Sequence, residues 1–113
     1  MEVTREAFEA LKRLPFFKGK VVSASMEPVI QTGEDIVVDV GARRIKRFDI
    51  VVVLIDGKLV CHYLWNMNRV FSPVLLQTRN VQGGKDYPVS LDDYLGKVIS
   101  HQISFWRKLR MLL

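Results

Sequence analysis

A chain of 113 residues, 49% of them hydrophobic, can bury one modest core and reads as a single domain over 1–113. Cys61 is the lone cysteine, which excludes an internal disulfide, and no Cys/His cluster has metal-ligand spacing, so neither a metal nor another cofactor is expected. The net charge of +5 suits an anionic partner, but outside residues 43–47 and 107–110 the basic residues are scattered. With no nucleic-acid motif among them, a solvated basic surface and no nucleic-acid partner are expected. No apolar run approaches the ~18–20 residues that a bilayer-spanning helix needs. The N-terminus mixes acids with bases and has no signal-peptide apolar region, which predicts a cytoplasmic protein.

Thr4 can cap a short helix over 4–14, where Ala7, Phe8, Leu11 and Leu14 make one apolar stripe and Pro15 ends it. Phe16 and Phe17 should pack, and Lys18-Gly19-Lys20 reads as a turn. Next comes Ser23-Ala24-Ser25-Met26-Glu27-Pro28. In extended backbone the two serine side chains point to the same side. Pro28 fixes its own φ and pushes Glu27 away from helix. Such a corner holds one hydroxyl out, with a second hydroxyl and main-chain N–H groups beside it, as a serine nucleophile requires. An ordinary polar turn closing a strand is the alternative, since Ser and Pro are common turn residues.

Residues 31–35 read as a turn before a β-branched strand over 36–40, and 41–47 as a basic loop. Asp56-Gly57 lies between the apolar runs 49–55 and 58–65, the strongest short hairpin signal. Residues 66–68 then turn the chain into a third strand over 69–78, interrupted at Pro73. An irregular loop over 80–85, a capped helical turn over 90–94 and a closing strand over 94–103 follow. The tail, 104–113, is basic and apolar at helical spacing. It can lie on an anionic membrane with Trp106 at the interface, pack on the domain, or meet a second copy in a homodimer. The pattern predicts a mainly β fold: a small antiparallel β-barrel-like domain with short terminal helices.

A serine hydroxyl needs a group to take its proton. His62, inside the second hairpin strand, is the leading candidate, because an imidazole's ordinary pKa of ~6.5 leaves it largely neutral at pH 7. A buried structural histidine is the alternative. A lysine base needs burial to lower its pKa by several units. Lys58 directly follows a turn and should be solvated, and Lys46 lies in a basic cluster in another segment. His101 reads as structural, and Cys61 as a small buried hydrophobe.

The box Ser23-Ala24-Ser25-Met26-Glu27-Pro28 resembles the Ser-x-Ser-Met-x-Pro signature of the signal peptidase I superfamily, which includes the LexA-type self-cleaving repressors. The likeness spans about residues 21–98. Gly33 and Asp35 resemble a Gly-Asp turn with Glu34 inserted. Residues 46–53 resemble a basic-Gly-Asp-Ile-Val-Val segment, with Phe48 in the place of Gly, a swap expected to change the turn. Residues 91–98 resemble an Asp-x-x-Gly-basic-Val segment. The resemblance implies a signal peptidase/LexA-type domain with its core at about 21–99. It implies Ser25 as nucleophile, and the Ser23 hydroxyl and Ser25 N–H as oxyanion donors. His62 would be the base, on the strand where LexA-type repressors carry Lys and other branches carry His. A carboxylate is expected to orient the base. Asn80 falls where an Asp is expected and can only accept a hydrogen bond through its amide oxygen. Asp86 falls on a second segment, and is equally readable as a loop residue in an Asx-type turn.

The resemblance thus implies a serine endopeptidase with a Ser–His dyad or triad, cleaving a peptide or protein that binds extended beside a strand. Two other readings stand beside it. One is an inactive descendant that binds peptides or a protein partner, which Asn80 and the expected lack of an anchor favour. The other is a self-cleaving regulator, disfavoured because such proteins use Lys and carry a DNA-binding half. Contact with membrane would be peripheral, through the tail.

Overall fold

Asp56 and Gly57 adopt φ values of 50° and 74°, the left-handed pair that a two-residue type I′ turn needs. They join β3 (Ile50–Ile55) to β4 (Lys58–Asn68), the hairpin at the centre of the sheet. The computed structural model describes residues 2–70 and 72–113. The remaining strands are β1 (Phe16–Lys20), β2 (Asp35–Val40), β5 (Leu75–Arg79), β6 (Val89–Ser90) and β7 (Tyr94–Val98). Their order is β1-β2-β7-β3-β4-β5-β6, and every pairing is antiparallel. β1 and β6 end the sheet without meeting, so it is open, and the barrel-like expectation is too strong.

β3 is buried on both faces, which explains its unbroken Ile-Val-Val-Val-Leu run. Ile50, Val52 and Leu54 join Phe8, Met26, Ile30, Ile36, Val38 and Leu95 in the larger core. Val51 and Val53 join Leu64, Leu76, Val89 and Tyr94 in the smaller one. The alternation is the period of two expected of strand side chains. Helix α1 (Arg5–Leu11) closes the larger core with Phe8, fully buried; the Thr4 hydroxyl caps it by accepting from the Ala7 N–H at 3.1 Å. A 3₁₀ turn, Leu91–Asp93, leads into β7, and α2 (Phe105–Leu112) ends the chain.

Several expected boundaries move. Lys18-Gly19-Lys20 is not a turn but the last three residues of β1, because residues 16–20 pair with 35–39 of β2. Residues 66–68 continue β4 instead of turning, because Asn66, Met67 and Asn68 pair with Gln77, Leu76 and Leu75. Trp65 is the extra residue of a bulge there, which bends β4. The third strand is accordingly Leu75–Arg79 and not 69–78; Phe71 lies outside the described residues. The closing strand stops at Val98. Helix α1 stops at Leu11, leaving Leu14 exposed. Phe48 keeps a left-handed φ of 75°, so the turn retains a backbone that suits glycine. Burial of its ring, with Tyr63 and Trp65 centroids each 5.9 Å away, offsets that strain.

Gly96 is where β7 runs closest to β2. A Cβ there would lie 2.3 Å from the Asp39 carbonyl oxygen and 2.8 Å from a Val38 methyl. Both neighbours are held in the sheet and cannot yield. Gly96→Ala should therefore cost about 1–3 kcal/mol in urea unfolding, and an unchanged midpoint would show that β2 and β7 are not so closely apposed.

Candidate active site

Ser25 lies in the irregular stretch between β1 and β2. Met26 and Ile30, on either side of the Pro28 turn, are fully buried, and the Ile30 N–H donates to the Met26 carbonyl at 2.9 Å. That apolar anchor holds Ser25 half-buried at the surface. Contrary to a simple extended reading, residues 23–30 are bends and turns, yet the two hydroxyls still meet: Ser23 Oγ is 3.1 Å from Ser25 Oγ.

His62 sits opposite Val51 in the β3–β4 register and is 7% exposed. Its Nε2 is 3.2 Å from Ser25 Oγ, and its Nδ1 is 2.5 Å from Asp86 Oδ2. The same carboxylate oxygen accepts a hydrogen bond from the Thr78 hydroxyl at 2.7 Å. Thr78 is fully buried and follows Gln77 on β5, opposite Leu64 of β4. One proton assignment satisfies all four contacts with a neutral ring. Ser23 donates to Ser25, Ser25 donates to Nε2, Nδ1–H donates to Asp86, and Thr78 donates to Asp86.

Asn80 does not bond the imidazole, since its amide oxygen accepts from the Gly84 N–H at 2.8 Å. Its own N–H donates to the Gly84 carbonyl at 2.9 Å, so it shapes the loop whose far end delivers Asp86. The Asp86 N–H then donates to the Thr78 carbonyl at 3.0 Å. Two bonds tie this loop to the serine segment: Val81 N–H to the Ser25 carbonyl at 3.0 Å, and the Gln82 side-chain amide to the Glu27 carbonyl at 3.1 Å. Thr78 is the residue sequence reasoning missed. A threonine in an alternating strand is ordinary, and its partner is eight residues away across a loop. Lys46 and Lys58, the alternative bases, are both exposed. His101 is elsewhere, between Ser100 Oγ at 2.8 Å and Glu34 Oε2 at 3.0 Å. Its hydrogen bond, with a second from the Gln31 N–H, holds the Glu34 carboxyl below the ordinary carboxylate range.

Ser25 and His62 open onto a cleft of about 430 Å³ lined by Val22, Ile36, Val52, Leu59, Val60 and Cys61. β5 pairs with β4 only from Tyr63 onward, so no described strand covers the outer edge of residues 59–62 beside the cleft. Among the described residues no His/Cys/Asp/Glu group has the arrangement to hold a metal.

A hydroxyl, an imidazole and a carboxylate thus stand in hydrogen-bonded series beside an apolar groove. The family model for Peptidase S24-like proteins matches residues 10–99. The chain belongs to the Peptidase S24-like family. The match is wider than the stretch of sequence resemblance, and it takes in β1 through β7. The seven-stranded antiparallel sheet accords with this family's fold. No curated protein matches the chain. Family membership brings a peptidase-like or LexA-type domain, and the Ser25–His62 pair lies within the matched region.

Cys61 faces the core side of β4, opposite Val52, and burial pushes its thiol up to about 12. A thiol reacts as thiolate. Alkylation by iodoacetamide at pH 8 should thus run more slowly in the native protein than in urea, although Cys61 also borders the cleft. Similar rates in the two states would mean that Cys61 is not shielded.

Proposed function

We propose that this S24-like domain is a serine peptidase that uses Ser25 and His62. The observation that carries the reading is the unbroken path from Ser25 Oγ through both ring nitrogens of His62 to Asp86 at the mouth of the cleft. Ser25 Oγ attacks the scissile carbonyl and passes its proton to Nε2. The imidazolium then protonates the leaving amine as the C–N bond breaks. Asp86 fixes the ring's tautomer and stabilises the transient positive charge, and Thr78 holds the carboxylate in place. Water, activated by the same imidazole, hydrolyses the acyl-enzyme and regenerates Ser25.

The Ser25 N–H bonds no backbone carbonyl among the described residues, which leaves it available to a developing oxyanion together with the Ser23 hydroxyl. A peptide in extended conformation can add to the uncovered edge of residues 59–62, with apolar side chains entering the cleft. The proposed substrate is therefore an extended peptide or an unfolded protein segment with an apolar residue before the cut. The inactive, peptide-binding alternative rested on Asn80 and on the expected lack of an anchor; Asp86 on Nδ1 answers the first of these, since an orienting carboxylate is present.

A fluorophosphonate probe should label the protein at Ser25 and fail on Ser25→Ala. His62→Gln should slow labelling by about 10²–10⁴-fold. No labelling of the wild type would leave the peptide-binding alternative. The labelling should not be confined to alkaline pH, since the proposed base is an imidazole and not an amine. A rise confined to alkaline pH would point to a lysine base. Thr78→Val, which keeps the shape of the side chain but removes its hydroxyl, should slow labelling while leaving Ser25 reactive; an unchanged rate would deny Thr78 a positioning role.

A further inference from the structure

The α2 helix sits on the domain with its amphipathic sense reversed. Ser104 caps it by accepting from the Arg107 N–H at 3.3 Å, and Ile103 just before it is buried. Met111 packs against the larger core. Residues in a helix advance by about 100°, so Arg107, Lys108 and Met111 share the side that meets the domain. All three are half-buried, and Lys108 Nζ lies 6.0 Å from the centroid of the Phe48 ring. The opposite arc carries Phe105, Trp106, Leu109 and Leu112, which are 68%, 72%, 42% and 54% exposed, and Leu113 extends it. A helix lying on a globular core ordinarily turns such a stripe inward. Phe105 and Trp106 stack edge to face at 5.5 Å and form a single aromatic wedge at the surface.

Charge selects the occupant. Lys108 borders the apolar arc on one side and Arg110 on the other. The helix also carries Arg107, and it contains no Asp or Glu. In a second copy seated face to face, cationic rims would oppose cationic rims with no acid to answer them. An anionic lipid surface answers both features at once. Its headgroup phosphates suit the rim cations, and the boundary beneath them suits Trp and Phe.

We propose that the outward face of α2 docks on an anionic bilayer surface. Phe105, Trp106, Leu109 and Leu112 enter the headgroup–acyl boundary, while the exposed Arg110 meets lipid phosphates. The contact is monotopic, since no described helix is long and apolar enough to cross a membrane. It does not depend on the peptidase reading.

The full chain should co-sediment with phosphatidylcholine vesicles containing phosphatidylglycerol about a hundredfold more tightly than with phosphatidylcholine alone, and lose that advantage as salt rises. Trp106→Ser combined with Leu109→Ser alters only exposed positions, so its thermal unfolding should match the wild type while its vesicle binding drops about tenfold or more. Failure to bind the anionic vesicles, equal binding to both lipids, or undiminished binding by the double variant would each overturn the proposal. A dimer that forms in solution, disappears in the double variant and excludes vesicles would overturn it in favour of a second copy.

Discussion

The Asp86 carboxylate organises the site. One of its oxygens takes hydrogen bonds from both Thr78 and His62, and the imidazole in turn reaches Ser25. Three stretches of chain, far apart in sequence, must agree for this to happen. β4 supplies the histidine, the β5 hairpin supplies Thr78 and Asp86, and the segment before β2 supplies the serine. A half-buried carboxylate is costly unless hydrogen bonds answer it. Here Thr78, itself fully buried, supplies one bond without adding charge.

The sheet makes that agreement rigid. β3 is enclosed by apolar side chains on both faces, and β4 is registered against it residue by residue across a two-residue turn. A slip of one position would turn His62 to the opposite face. The serine segment has no such ladder. Met26 and Ile30 sink it into the larger core, and two hydrogen bonds tie it to the loop that ends at Asp86. Ser25 and Asp86 are thus linked through the backbone as well as through the imidazole.

Local chemistry was the legible part of the sequence. Asp56-Gly57 marks its hairpin because the left-handed pair is a property of those two residues alone. The serine motif and His62 can be picked out one by one, and the family match covers them both. What the sequence conceals is set by distant partners. Lys18-Gly19-Lys20 looks like a turn by composition and becomes strand through β2. Asn66 to Asn68 looks like a turn and becomes strand through β5. Between Asn80 and Asp86, only the path of the loop decides which reaches the ring: Asn80 spends its amide oxygen on Gly84, and Asp86 arrives beside Thr78. The tail is visibly amphipathic, but no periodicity tells that its apolar side faces out.

One ring carries the proposed chemistry: an imidazole whose Nδ1 proton is given to Asp86 and whose bare Nε2 is turned to Ser25. Nitrogen-15 NMR of the histidine side chains at neutral pH, with His62 assigned from its loss in His62→Gln, reads that directly. The account predicts a protonated Nδ1 and an unprotonated Nε2 at His62, with the Nδ1 proton shifted far downfield and returned toward ordinary values in Asp86→Asn. A ring protonated on Nε2, or one indifferent to the Asp86 change, would contradict it.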